Sequence, residues 1–199
     1  ISKTLHYAIA QDNNHGTSEA SALFIASSWL DSIEESNNKS RRWLKISRNN
    51  LEERVNNLVL DDGSFSQYST NYHRLFLDSI SLVEFFRAKF DQDRFSEQYE
   101  SKIGLAVDWL WQLTDSKTGN IPNLGANDGA QLLQLSSTDY RDFRPSIQFS
   151  SVLFKNYRLY EDNDCDGILN WLNVNLKNIP DRNKNKQSKI FSADKFIFT

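Results

Sequence analysis

An all-α fold of antiparallel helix pairs, followed by a short β-like tail, is what this sequence predicts. Apolar residues recur at helical spacing in one segment after another, and polar clusters separate those segments. Only the stretch from Ile190 to Phe198 carries a strand-like pattern. At 199 residues the chain is long enough for one domain with a sizeable core, and helices of this length with short connections pair antiparallel. No internal repeat is visible.

The first helix is expected from about Ser18 to Asp31. Ala22, Leu23, Phe24, Ile25, Ala26, Trp29 and Leu30 make it apolar around most of its circumference, which implies deep burial. Thr17 or Ser18 is placed to cap it, with Glu19 facing the positive end of the helix dipole. A second helix, about Ser40 to Leu60, sets Trp43, Leu44, Leu51, Val55, Leu58 and Val59 near one face. Asp61-Asp62-Gly63-Ser64 then breaks the pattern. A third, about Thr70 to Phe90, is apolar on more than one side through Leu75, Leu77, Ile80, Leu82, Val83, Phe85 and Phe86. A fourth, about Ser96 to Leu113, carries Ile103, Leu105, Ala106, Trp109 and Leu110.

From Thr114 to Arg144 the periodicity lapses, and Gly119, Gly125 and Gly129 fall there. A loop that long inside a compact domain is usually functional or disordered. Leu132, Leu133 and Leu135 predict a short ordered piece within it. Helices resume at about Pro145 to Tyr160 and Asp166 to Leu176. Pro180 to Lys189 is rich in Asn and Lys and reads as an exposed linker. Ile190-Phe191 and Phe196-Ile197-Phe198 then read as strands. The expected division is a helical domain over 1–179, then a linker and the opening of a β domain over 180–199. With no Met at any position, the chain reads as cut at both ends from a longer protein.

Composition narrows the function. A net charge of −3 argues against nucleic acid as the main partner, because phosphates call for a basic surface. No apolar run approaches the roughly 20 residues of a membrane span. Cys165, the single cysteine, excludes an internal disulfide and reads as an inert thiol. No His/Cys cluster has zinc spacing. Asp162-Asn163-Asp164-Cys165-Asp166-Gly167 matches the first half of a calcium loop, but the twelfth position is Asn173, so the bidentate Glu is missing. The sequence therefore calls for no metal and no other cofactor. Glu19, Asp61, Asp62 and Asp128 are a supply of carboxylates for glycosidase-like pairing, but spacing in sequence does not set a catalytic separation. Thirteen Phe, seven Tyr and five Trp suit either a helix-packed core or a sugar-binding cleft.

Three short runs hold groups able to do chemistry. Asn14 and His15 stand at a helix entrance, where outward backbone amides attract anions. They read either as donors for a sugar carboxylate or as residues that cap and turn the chain. Tyr72 and His73 open the third helix. A Tyr hydroxyl can give or take a proton when a neighbour tunes it. Consecutive helical residues diverge by about 100°, so one of the two faces a cleft while the other orients it or packs. The plainer reading is an aromatic first turn against the core. Asn123, Asn127 and Asp128, in a Gly/Asn/Asp loop, read as polar groups on a cleft rim or as a tight turn.

The runs Asn13 to Ala20, Asp62 to Ser69 with Asn71-Tyr72-His73-Arg74, and Pro122 to Ala130 resemble the heparinase II/III-like polysaccharide lyases. Tyr140-Arg141-Asp142-Phe143-Arg144-Pro145 is similar to members associated with bacterial surface-polysaccharide clusters. The resemblance covers nearly the whole chain in order. It implies an incomplete (α/α) toroid followed by an antiparallel β-sandwich, of which Phe191 to Phe198 would be the opening. It implies cleavage of a uronate-containing, acidic polysaccharide by β-elimination. In that chemistry a base takes the proton beside a neutralised carboxylate, and an acid protonates the leaving oxygen. By motif match Tyr72 would be the acid, with the role of base also open to it; His15 and Asn14 would bind the uronate. His73 would orient the site, and Tyr68, Asn127 and Asp128 would contact substrate. Family lyases draw a further essential His, and in some cases a metal, from the later β domain. No His follows His73 in this sequence, so that domain of the parent chain is an expected partner. The second function expected is a non-catalytic glycan-binding or assembly domain.

Overall fold

A computed structural model describes residues 1–33, 35, 37–182, 192–193 and 196–197. Among them run α1 (Leu5–Ala10), α2 (Asn14–Ser32), α3 (Asn38–Leu58), α4 (Thr70–Lys89), α5 (Glu97–Leu113), α6 (Arg144–Lys155) and α7 (Gly167–Trp171). A single 3-10 turn, Asn163–Asp166, precedes α7. β1 (Ser192–Ala193) pairs antiparallel with β2 (Phe196–Ile197), Ser192 opposite Ile197 and Ala193 opposite Phe196. The fold is thus all-α with a short β-like tail. Residues 183–189 of the expected linker, and Ile190, Phe191 and Phe198, lie outside the described residues.

The helices lie in two rows. α2, α4 and α6 are neighbours in one, α3 and α5 in the other, and contacts of α2 with α3, α4 with α5 and α5 with α6 join them. α4 touches helices in both rows, which is why its sequence shows no single apolar stripe. Its Phe76, Leu77, Ile80 and Val83 are fully buried with Phe24 of α2, Leu51 and Val55 of α3, and Ile103 and Leu110 of α5. Each such side chain contributes about 1.5–3 kcal/mol when removed from water. A second cluster, Leu133, Phe149, Val152, Ile168 and Leu169, lies between α6 and α7.

Serines let the row of α2, α4 and α6 approach closely. Ser27, Ser79 and Ser150 are buried, and each returns its hydroxyl to a carbonyl of the preceding turn: Leu23, Leu75 and Ser146. The polar atom therefore enters the core with its donor satisfied. Ser81 and Ser150 also bond each other between α4 and α6 at 2.8 Å.

Several boundaries differ from expectation for local reasons. α2 starts at Asn14 rather than Ser18, because Asn13 supplies the cap: the His15 N–H donates to its Oδ1 at 2.9 Å. Thr17 is instead inside the helix, its hydroxyl on Asn14 O. α1 is a short helix that the periodicity does not reveal. α6 ends at Lys155 because Asn156 takes φ 56°. The last expected helix contracts to the 3-10 turn and α7, and Asn173 beyond it takes φ 56°. Leu132, Leu133 and Leu135 form no helix or strand, although Leu133 is buried.

Candidate functional site

The entrance to α2 is set from two sides. Arg54 of α3 is buried and donates to Asp12 Oδ1 at 2.6 Å and to Ile9 O at 3.4 Å, which pins the turn between α1 and α2. Gly16 admits α1 alongside; a Cβ there would lie 3.2 Å from Ile9 Cα. Asn14 is consequently buried while the His15 side chain is exposed.

The Asn14 N–H, one of the orphan donors of the first helical turn, donates to Gln67 Oε1 at 2.8 Å. Gln67 belongs to the segment between α3 and α4. That segment turns back through a bridge between Val59 and Phe65, and Asp62 Oδ1 accepts both the Ser64 N–H and its hydroxyl. Tyr68 follows with φ 50° and its ring partly exposed. Ser69 caps α4, accepting the Tyr72 N–H at 3.1 Å.

The loop around residues 120–130 is fastened to this same helix start. The Ser69 hydroxyl donates to Ala126 O at 2.5 Å, the Thr70 N–H to Leu124 O at 3.2 Å and the Thr70 hydroxyl to Pro122 O at 3.1 Å. Gly125, at φ 69°, permits the contact; a Cβ would sit 2.1 Å from Tyr68 O. The Tyr72 hydroxyl donates to Asp128 Oδ2 at 2.8 Å. That bond raises the phenol pKa and holds the Asp128 carboxyl below the usual carboxylate range. Tyr72 is therefore the protonated partner and Asp128 the ionised one.

Behind them lies a buried polar frame. Asn71 Oδ1 accepts from Arg74 Nη2 at 3.0 Å and from the Tyr140 hydroxyl at 2.9 Å. The same hydroxyl reaches Asn127 Oδ1 at 2.7 Å. Arg74 Nη1 donates to Tyr140 O at 2.6 Å, and its guanidinium lies over the rings of Tyr140 and Phe143, 4.6 and 4.1 Å from their centroids. Arg74 is 1% exposed. Its charge is tolerated there because carbonyls and aromatic faces surround it.

His73 faces the other way. Its Nε2 lies 2.9 Å from Ala106 O, and its ring stacks on Trp109 at 5.0 Å and 9°. Burial drives its pKa down to about 4, so the ring is neutral with Nε2–H donating to Ala106. Nδ1 is then a buried acceptor with no protein partner.

Of the residues singled out from sequence, Tyr72 and Asp128 are bonded directly. Asn14 is joined to Gln67, beside Tyr68, and Asn127 stands next to Asp128. His15 is exposed one residue beyond Asn14, and His73 is turned toward α5. Asp162 and Asp166, of the calcium-like run, pair with Arg144 at 3.5 Å and Arg158 at 2.5 Å. Among the described residues no group of three or more His, Cys, Asp or Glu converges as a metal site. Burial raises the Cys165 thiol to about 12. None of the described helices is long and apolar enough to cross a membrane.

Asn71, Arg74, Tyr140 and Arg141 stand in runs that carry the resemblance, but no individual role for them is legible in the sequence. A charged residue in the first turns of a helix reads as a solvated one, and nothing local announces that Arg74 is roofed by a loop. Beside the frame opens a cleft of about 360 Å³, lined by Thr70, Asn120, Ile121, Asn123, Asn127, Tyr140, Arg141 and Phe143.

No curated protein and no solved structure matches the chain. The family described as Heparinase II/III N-terminus matches residues 3–144, from before α1 to the first residue of α6, and so takes in every element that frames Asn14, Tyr72 and Asp128. The chain belongs to the Heparinase II/III N-terminus family.

Proposed function

We propose that this domain serves a polysaccharide lyase that cleaves a uronate-containing polysaccharide by β-elimination. The observation that carries the reading is the Tyr72 hydroxyl held at 2.8 Å by the Asp128 carboxylate. Asp128 keeps the phenol protonated, which suits Tyr72 to protonate the leaving glycosidic oxygen. Asn14 and His15 bind the uronate, whose carboxylate must be neutralised before the adjacent proton is acidic enough to leave. Tyr68 offers an exposed ring to a sugar face, and Asn127 fixes the rim. His73 acts on position: its bond to Ala106 and its stack on Trp109 hold the first turns of α4 on α5. The two rows of helices are read as part of an incomplete (α/α) toroid whose companion β-sandwich domain completes the catalytic set.

The test is to incubate the full-length protein with uronate polymers and follow ultraviolet absorbance. Appearance of unsaturated uronate supports the lyase; new reducing ends without that signal indicate a hydrolase. Tyr72→Phe should abolish turnover while largely sparing binding, and retained turnover removes Tyr72 from the mechanism. A second reading, non-catalytic glycan binding, draws on the same Asp128 contact, because a carboxylate that raises the phenol pKa also opposes any role for Tyr72 as a base. Binding with no new product supports it.

A further inference from the structure

We propose that the cleft beside the start of α4 takes a carboxylated sugar, and that Arg141 pairs with its carboxylate. Resting on the uronate reading above, the inference adds a binding residue and a subsite to it.

Arg141 is exposed on the cleft lining, and its guanidinium makes no hydrogen bond or ion pair among the described residues. Its backbone N–H donates to Asp139 Oδ1 at 2.8 Å, which fixes the turn. The arginines on either side are committed. Arg74 is buried under Tyr140, and Arg144 grips Asp142 through two nitrogens, at 2.9 and 2.7 Å. A charged side chain that is unpaired beside a concave surface is available to a ligand, and a guanidinium matches a carboxylate with two parallel bonds.

The rest of the lining fits a sugar acid. Among the described residues no Asp or Glu lines the cleft to repel an anion. Asn127 Nδ2 donates one hydrogen to Asn123 Oδ1 at 2.9 Å, so Asn123 accepts there with its oxygen and keeps its amide hydrogens as donors. The single Tyr140 hydroxyl proton has two acceptors in reach, Asn71 Oδ1 and Asn127 Oδ1, so its oxygen lone pairs remain to accept from hydroxyls. Ile121 and Phe143 supply apolar surface for a ring face, and about 360 Å³ lies within the range of small-ligand pockets. Asn127 lines the cleft, and its chain neighbour Asp128 holds the Tyr72 hydroxyl. A sugar in the cleft therefore sits next to the one that Tyr72 would protonate.

The test uses the full-length protein and a panel of glucuronate-, mannuronate- and galacturonate-containing polymers with their carboxyl-reduced counterparts. Affinity electrophoresis reads binding, and absorbance reads elimination. The expected result is retention by at least one acidic polymer but not by its reduced form. Arg141→Gln should weaken that retention at least about tenfold, the effect of a lost charge-assisted bond. Arg141→Lys should restore part of it, with an unchanged thermal midpoint in both variants. Wild-type retention in Arg141→Gln overturns the subsite, and elimination in that case leaves the lyase reading standing. Arg141-dependent retention with no unsaturated product supports the subsite and overturns the lyase reading. No retention of any acidic polymer by the wild type overturns the subsite.

Discussion

Asn14 and Gln67 meet across 53 positions of sequence: the backbone N–H that opens α2 donates to the Gln67 side-chain oxygen at 2.8 Å. Gln67→Ala removes that acceptor and leaves a partly buried amide unpaired, a loss of about 1–3 kcal/mol. The measurable outcome is a lower urea midpoint together with faster hydrogen exchange at Asn14 and His15. Unchanged exchange there would show that water replaces the glutamine at no cost.

Asp128 sets the titration of Tyr72. In Asp128→Asn the phenol loses its charged acceptor, and its pKa should fall back toward the ordinary tyrosine value. Ring-selective NMR titration of Tyr72 reads this directly. A Tyr72 titration identical to wild type would mean that the bond does not persist in solution.

Gly125→Ala tests how the loop is fastened. The position has φ 69°, and the added carbon would overlap Tyr68 O, so the loop has to lift from the start of α4. A stability loss of about 2 kcal/mol or more is expected, with the Ser69 and Thr70 contacts broken. Tyr72 should then titrate as it does in Asp128→Asn. A stable variant with the wild-type Tyr72 titration would refute the close approach.

Asp78 gives a pH dependence of known sign. It is fully buried in α4, and burial raises its carboxyl from 3.8 to about 7. The Ser146 hydroxyl, the Leu133 N–H and the Arg74 charge favour its ionised form, but neither of its oxygens completes a hydrogen bond. Between those two pH values the folded chain retains a proton that the unfolded chain has released, so stability falls as pH rises. The gap corresponds to a loss on the order of 4 kcal/mol. His73 imposes the opposite slope, since the unfolded ring protonates below 6.5 and the folded one only near 4. That slope is common to wild type and Asp78→Asn and cancels in their difference. Denaturation between pH 4 and 8 should show Asp78→Asn gaining on wild type as pH rises, most above 7. A constant difference would show that Asp78 does not titrate in this range.

Much of the fold was legible because α3, α4 and α5 each carry apolar residues at helical spacing, and Ser69 and Ser96 mark two of their starts. The start of α2 was less so: Asn13, Thr17 and Ser18 can all cap a helix, and only the packing of α1 against Gly16 decides among them. The lapse in periodicity after Leu113 marked the loop, but its seat on α4 is made mostly by carbonyls, which every residue has. Tyr72 and Asp128 were visible as separate motifs. Their pairing, the roofing of Arg74 and the turning of His73 toward Trp109 are tertiary facts with no local signature.

The manner of that attachment bears on how the surface can change. Because Pro122, Leu124 and Ala126 are gripped through main-chain oxygens, the side chains at Asn120, Asn123 and Arg141 carry little of the fastening. Those three positions can be exchanged while the loop stays seated, so descendants of this chain have a route to a new surface chemistry that leaves the helical scaffold intact. Directed evolution would do best to begin there.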